Sequence, residues 1–243
     1  MIHFAGASVS TDDPQYRTIL HPFDLTLSEQ RVSIIGANGS GKSTLLKLIN
    51  GLVLPDAGRV QVGGLDTSRH GGRVRQRVGF VFTDPLAQLV MPTGREDVEL
   101  SLRRQVKSGA ERRHRAEAVL DRFGLLHLAD QSIYDLSGGE RQLLALATVL
   151  AVGPTVLVAD EPTTLLDLRN EERIRALLRC LDQQVVFTTH NLDFALDSDR
   201  TLVIDGGKLV FDGKPRDAVD AYCALSSEGG RAPASPAAGQ AFP

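Results

Sequence analysis

"VSIIGANGSGKSTLLKLIN", residues 32–50, joins a short β-branched apolar run to a helical pattern through a loop with glycine at 36, 39 and 41. Gly36, Ala37, Asn38, Gly39, Ser40, Gly41, Lys42, Ser43 and Thr44 satisfy G-x-x-x-x-G-K-[ST] in the context that gives the pattern meaning, directly after a strand and before a helix. Glycines permit a tight loop whose backbone N–H groups converge on phosphate oxygens at a helix N-terminus. Lys42 then neutralises terminal phosphates, and the Ser43 hydroxyl is a ligand for Mg²⁺. The stretch therefore predicts a nucleotide-binding α/β domain.

The remainder of the chain agrees with that class. Its 243 residues with 42% hydrophobic content suit one domain, or a core domain with a small subdomain. A net charge of −3 gives no reason to expect nucleic acid as a partner. Cys180 and Cys223 stand far apart without other metal ligands nearby, which fits packing residues in a reducing compartment. The N-terminus lacks a basic segment followed by an apolar core, so the chain is expected in the cytosol. Further strands are expected at Val32–Ile35, Val78–Phe82, Val156–Ala159, Val185–Thr188 and Thr201–Ile204, with a hairpin at 58–64. From Pro85 to Asp135 strand signals vanish, and Ala116, Val119, Leu120 and Phe123 follow helical spacing. "LLALATVLAVGPTVLVA", 143–159, reads as a buried helix, a turn and a buried strand. Residues 226–243 are small, Pro-rich and aromatic-poor, as in a disordered tail.

Three further stretches add chemistry. "VLVADE", 156–161, ends an apolar strand in two carboxylates: Asp160 is placed to hold Mg²⁺, and Glu161 to polarise an attacking water. "VVFTTH", 185–190, brings His190 to another strand end, where it can face a γ-phosphate or that water. In "LSGGERQLLALATVL", 136–150, Ser137 and Glu140 form a capping-box pattern, and Ser137, Gly138 and Gly139 open a helix able to present N–H groups to an anion.

Taken in this order, the motifs over residues 2–224 resemble those of ABC-type ATPases. The resemblance makes 36–44 the Walker A loop, 136–142 the signature, Asp160 the Walker B aspartate, Glu161 the catalytic base and His190 the switch histidine. Asp167 matches the aspartate of the loop that crosses the dimer interface. It implies a RecA-like P-loop core with an antiparallel β subdomain and an inserted helical subdomain, an ATPase domain over 1–225 with its insert at about 85–152, and ATP with Mg²⁺. It also implies a head-to-tail dimer, either a homodimer or a pair with a paralogous ATPase. Such a subunit works at the cytoplasmic face of the membrane with integral transport subunits and does not touch the transported molecule.

"FVFTDPLAQLVMPTGREDV", 80–98, and "DEPTTLLDLRN", 160–170, are similar to the energy-coupling-factor group of vitamin and metal importers, nearest its biotin-transport ATPases. The alternatives are a cobalt or nickel importer, a soluble ABC ATPase acting outside transport, and a nucleotide-gated module with little hydrolysis. Two positions depart from the family. Thr83 stands where a strand-end glutamine is usual, and its hydroxyl spans that gap only through water. The aromatic residue expected against adenine is Thr11 here, leaving Tyr16 as the candidate for that role. Leu86, Leu89, Val90 and Met91 are expected either to meet a partner's helix or to pack beneath the insert.

Overall fold

The computed structural model describes residues 1–11 and 17–229. In chain order the elements are β1 (Ile2–Ser10), β2 (Thr18–Leu27), β3 (Arg31–Ile35), α1 (Lys42–Asn50), β4 (Ala57–Val62), β5 (Leu65–Asp66), α2 (Gly71–Arg77) and β6 (Val78–Val81). Then follow α3 (Gly94–Leu102), α4 (Gly109–Arg122), α5 (Gly138–Leu150), β7 (Val156–Ala159), α6 (Leu168–Arg179), β8 (Gln184–Thr188), α7 (Leu192–Ala195), β9 (Arg200–Asp205), β10 (Lys208–Gly213) and α8 (Pro215–Gly229).

The strands form two sheets. One has the order β2-β1-β4-β5, and its pairs are antiparallel. The other has the order β10-β9-β3-β8-β7-β6; it is parallel except for the edge pair β9–β10. The side-chain period of two divides the parallel sheet between two cores. Val158 and Val186 face α1 and the inner side of the antiparallel sheet, beside Leu45, Leu46, Phe4 and Leu27. Leu157, Ala159, Val185 and Phe187 point the other way, against Leu143 and Leu146 of α5, Ile174 of α6, and Val98 and Leu120 of the helical segment. With both faces covered, β3, β7 and β8 read as nearly continuous apolar runs.

The layers match the expected P-loop core with an antiparallel β subdomain and an inserted helical segment. Between 85 and 135 the structure holds α3, α4 and two single 3₁₀ turns, with no named strand among these residues. Ala116, Leu120 and Phe123 are buried, as their spacing predicts, and Val119 is partly buried against the same core. β1, β2 and β10 were not anticipated. β10 alternates exposed and half-buried positions, so it carries little apolar signal.

Three expectations need correction. Cys180 and Cys223 are exposed: Cys180 is the C-cap of α6, and Cys223 lies on the outer face of α8 rather than against a core. β6 stops at Val81, one residue earlier than expected, because Phe82 spends its N–H on the Gln88 side chain. Helix α8 continues to Gly229, past the boundary placed at 226. Ser226 and Ser227 donate back to the carbonyls of Tyr222 and Cys223, satisfying both hydroxyls within the helix. The remainder of the expected tail, 230–243, and Tyr16 lie outside the described residues.

Candidate nucleotide site

Helix α1 begins without a side-chain cap. Its N-cap, Gly41, has φ 106°, and a Cβ there would stand 2.8 Å from a Leu20 methyl and 2.9 Å from the Ile19 carbonyl oxygen, so only glycine fits. The first-turn N–H groups are left for a ligand. They open into a cavity of about 480 Å³ walled by Asn38 to Thr44, with Ile19, Thr83, Glu161, Thr164 and His190 completing it. Ser40 Oγ is buried there without a hydrogen-bond partner, a donor suited to a phosphate oxygen. Lys42 is buried too, and its ammonium donates to the carbonyls of Gly36 (2.9 Å) and Ala37 (3.0 Å). Burial pushes its pKa below the ordinary lysine value, against the opposing pull of Glu161 and Asp160.

The carboxylates meet this loop from β7. Asp160 accepts from Ser43 Oγ at 3.1 Å and from Thr188 Oγ1 at 2.7 Å. Thr188 Oγ1 in turn accepts the Glu161 N–H at 2.8 Å, so one buried threonine sets the spacing of both acids. Ser43 and Asp160 thus offer adjacent hard oxygen donors, the chemistry Mg²⁺ takes. Glu161 has φ 51°, a left-handed conformation that costs energy for a residue with a Cβ and aims its carboxylate into the cavity. One carboxylate oxygen accepts from Thr164 Oγ1 at 2.7 Å; the other lies 2.8 Å from His190 Nε2, but off-axis, so that it makes no aligned hydrogen bond. Thr83 donates to the Asp160 carbonyl at 3.0 Å and stays close to the strand ends. Gln88 ties the segment after β6 to α5, accepting from Phe82 N at 3.3 Å and donating to the Ala145 carbonyl at 2.9 Å.

The remaining predicted residues lie elsewhere. Ser137 caps α5 through the full capping box: its N–H and hydroxyl donate to Glu140 Oε2, each at 2.7 Å, and the Glu140 N–H returns to Ser137 Oγ at 3.3 Å. These bonds hold the Glu140 carboxyl below its ordinary pKa. Gly139 lies against α6, where a Cβ would meet the Asn170 side chain at 2.3 Å. Asp167 caps α6, accepting from Asn170 N at 2.8 Å. None of Ser137, Gly138, Gly139 and Asp167 lines the large cavity. Ile19, Thr164 and Thr188 were not anticipated as parts of the site. A threonine before a strand-end histidine and a threonine after the acidic pair were visible signals, but Ile19 was not, because only the fold brings β2 over the loop.

The model of the ABC transporter family matches residues 20–164, more than half of the chain. The chain belongs to the ABC transporter ATP-binding family. A putative ABC transporter ATP-binding protein of Deinococcus radiodurans is 45% identical over 206 residues, 85% of this chain and 91% of that protein. The biotin transport ATP-binding protein BioM of Rhizobium etli is 40% identical over 221 residues, 91% and 97% of the two chains. Among solved structures, the dimeric ATP-binding cassette MJ0796 in a post-hydrolysis state with ADP and Pi superposes with a TM-score of 0.81 at 32% identity, covering 89% of this chain and 99% of that one. The cbiO1 protein of Clostridium perfringens, part of the ABC transporter complex cbiONQ, gives 0.78 at 27% identity over 96% and 95%. This ABC protein therefore binds ATP and is an ATPase subunit of a transporter. No helix among its described residues is long and apolar enough to cross a membrane.

Proposed function

We propose that this ATPase energises a membrane importer of the energy-coupling-factor type, with biotin as the transported molecule. The observation that carries the reading is near-full-length similarity to a biotin transport ATP-binding protein, 97% of which is matched. Residues 80–98 and 160–170 support it by their likeness to that group.

In this reading the ATP phosphates lie on the uncapped N-terminus of α1, with Lys42 and the unpartnered Ser40 hydroxyl on their oxygens. Ser43 and Asp160 would hold Mg²⁺, which would supply charge neutralisation for the phosphates. Glu161 orients a water and takes its proton as the water oxygen bonds to the γ-phosphorus. The bond to the bridging oxygen breaks, and ADP leaves with that electron pair. His190 flanks the same water and γ-phosphate, and the bond from Thr164 fixes the Glu161 carboxylate. Ser137, Gly138 and Gly139 serve the cavity of a second copy or a paralogue, because they do not line their own. Asp167 lies in the loop at that interface.

The membrane partner is expected in a groove of about 330 Å³ between the parallel sheet and the helical segment, bordered by Leu52, Phe80, Val90 and Leu100. Leu89 is buried beneath it while Val90 is exposed, so the apolar segment divides between packing and presentation. Asp97 holds the presenting turn by accepting from the N–H groups of Val90 (3.1 Å) and Met91 (3.0 Å). Such a subunit works peripherally at the cytoplasmic side of the membrane.

The test is uptake in cells lacking the chain, with copurification from detergent-solubilised membranes. Loss of biotin uptake, restored by wild type and not by Glu161→Gln, is expected. Intact biotin uptake with lost cobalt or nickel uptake assigns a metal importer instead. A chain that never copurifies with membrane proteins sinks the transporter reading. In purified protein, Glu161→Gln is expected to lower ATP turnover by about 100-fold or more; unchanged turnover would remove Glu161 from the role of base.

A further inference from the structure

We infer that Gln142 is the positioning residue that connects the ATP site to the helical segment in place of the strand-end glutamine, through water shared with Thr83. The inference rests on the site proposed above. Gln142 lies on α5, 2% exposed, and its amide Nε2 is buried with no hydrogen-bond partner. A buried amide donor that has given up water without gaining a partner is unfavourable, so one left so needs a partner. Gln142 lines a second cavity, of about 150 Å³, together with Thr83, Gly138, Arg141, Pro162 and Leu165. Thr83 also lines the large cavity beside Glu161 and is shared by the two.

The volume is ample, since one water needs roughly 10–15 Å³ by the same measure. The walls are polar enough as well. Thr83 Oγ1 donates to the Asp160 carbonyl, which leaves its lone pairs free to accept from water. The Leu165 carbonyl oxygen faces Gly138, 3.7 Å from where a Cβ would stand. Two more polar side chains stand at the wall: Arg141 donates to the Tyr134 carbonyl at 3.3 Å, and Asp84 accepts the Leu86 N–H at 2.9 Å. A longer side chain at 83 would enter this space; with threonine there, the amide comes from α5 and water closes the gap. Gln142 follows Ser137–Gly139 on the same helix, so the relay joins the strand ends bearing Asp160 to the helix that opens with those residues.

A double-mutant cycle on the full chain tests this. Gln142→Leu is expected to lower ATP turnover at saturating ATP about tenfold, with half-saturation by ATP changed less than about twofold. In the Thr83→Gln background, where the introduced amide fills the gap, the same substitution is expected to cost less than about twofold relative to Thr83→Gln alone. Gln142→Glu, which keeps the shape and loses the amide donor, guards against a folding failure of the leucine variant and is expected to behave like it. Equal losses in the two backgrounds, or a loss confined to ATP affinity, would overturn the relay. Glu161→Gln in the same assay separates the two readings. If it abolishes turnover while the cycle is additive, the relay alone fails; if its turnover is unchanged, the site reading fails and the relay with it.

Discussion

Two helix N-termini in this molecule are built from glycine-rich sequence and end differently. Helix α1 starts at Gly41 with no side-chain cap, a buried lysine and an orphaned serine hydroxyl around it. Helix α5 starts at Ser137 with a complete capping box that engages the Ser137 and Glu140 N–H groups, and the Glu140 carboxylate already occupies the positive end of its dipole. The first terminus leaves its donors open to a cavity within one chain. The second is partly capped by its own side chains, so an anion arriving from another subunit meets an internal carboxylate there. Glycine-rich helix starts therefore differ in how many donors they leave for an anion, and that depends on how far the chain caps its own.

The largest expected effect comes from breaking the open terminus. Lys42→Ala removes the one buried cation there and should weaken ATP binding by about 100-fold, read by nucleotide titration. Next is the wall of the same cavity: Thr83→Ala should lower coupled uptake more than ATP binding, and equal effects on both would reduce Thr83 to a strand end. At the closed terminus, Ser137→Ala should cost roughly 1 kcal/mol of stability, seen as a lowered denaturation midpoint. It should also leave single-chain ATP affinity within about twofold, since Ser137 is not in its own cavity.

The smallest and most discriminating effect concerns Glu140. Its hydrogen bonds with Ser137 hold its folded pKa below the ordinary 4.5, so its contribution to stability is present above that value and lost as pH falls through the lower, folded pKa. The stability gap between wild type and Glu140→Gln should be constant near neutrality and shrink below pH 4.5, as thermal melts across pH would show. If Glu140→Gln also strengthens ATP-driven dimerisation by a few-fold, the competition at α5 is direct; no change would break the contrast between the two termini.

Much of the site was legible because its chemistry is written in short contiguous words. The loop at 36–44, the acids at 160 and 161 and His190 each follow an apolar strand, and parallel strands bring their C-terminal ends to one edge. Thr188 and Thr164 stood inside those words, but their roles depend on side-chain directions that pattern does not give. Ile19 was hidden because β2 reaches the loop only through sheet pairing. Cys180 and Cys223 misled because cysteine is most often buried, and here each sits at a helix face that no layer covers.

By itself the sequence determined the class of fold, the glycine-rich loop at 36–44 and the order in which the acidic pair and the histidine follow their strands, since each depends on local periodicity and on residues adjacent in the chain. Only tertiary structure decided that one helix start is uncapped and the other capped, that Thr83 borders two cavities, and that the amide of Gln142 lines one of them unpaired. Those properties depend on which donors find partners across the fold, and hydrogen bonding between distant segments leaves no periodic trace in a single chain.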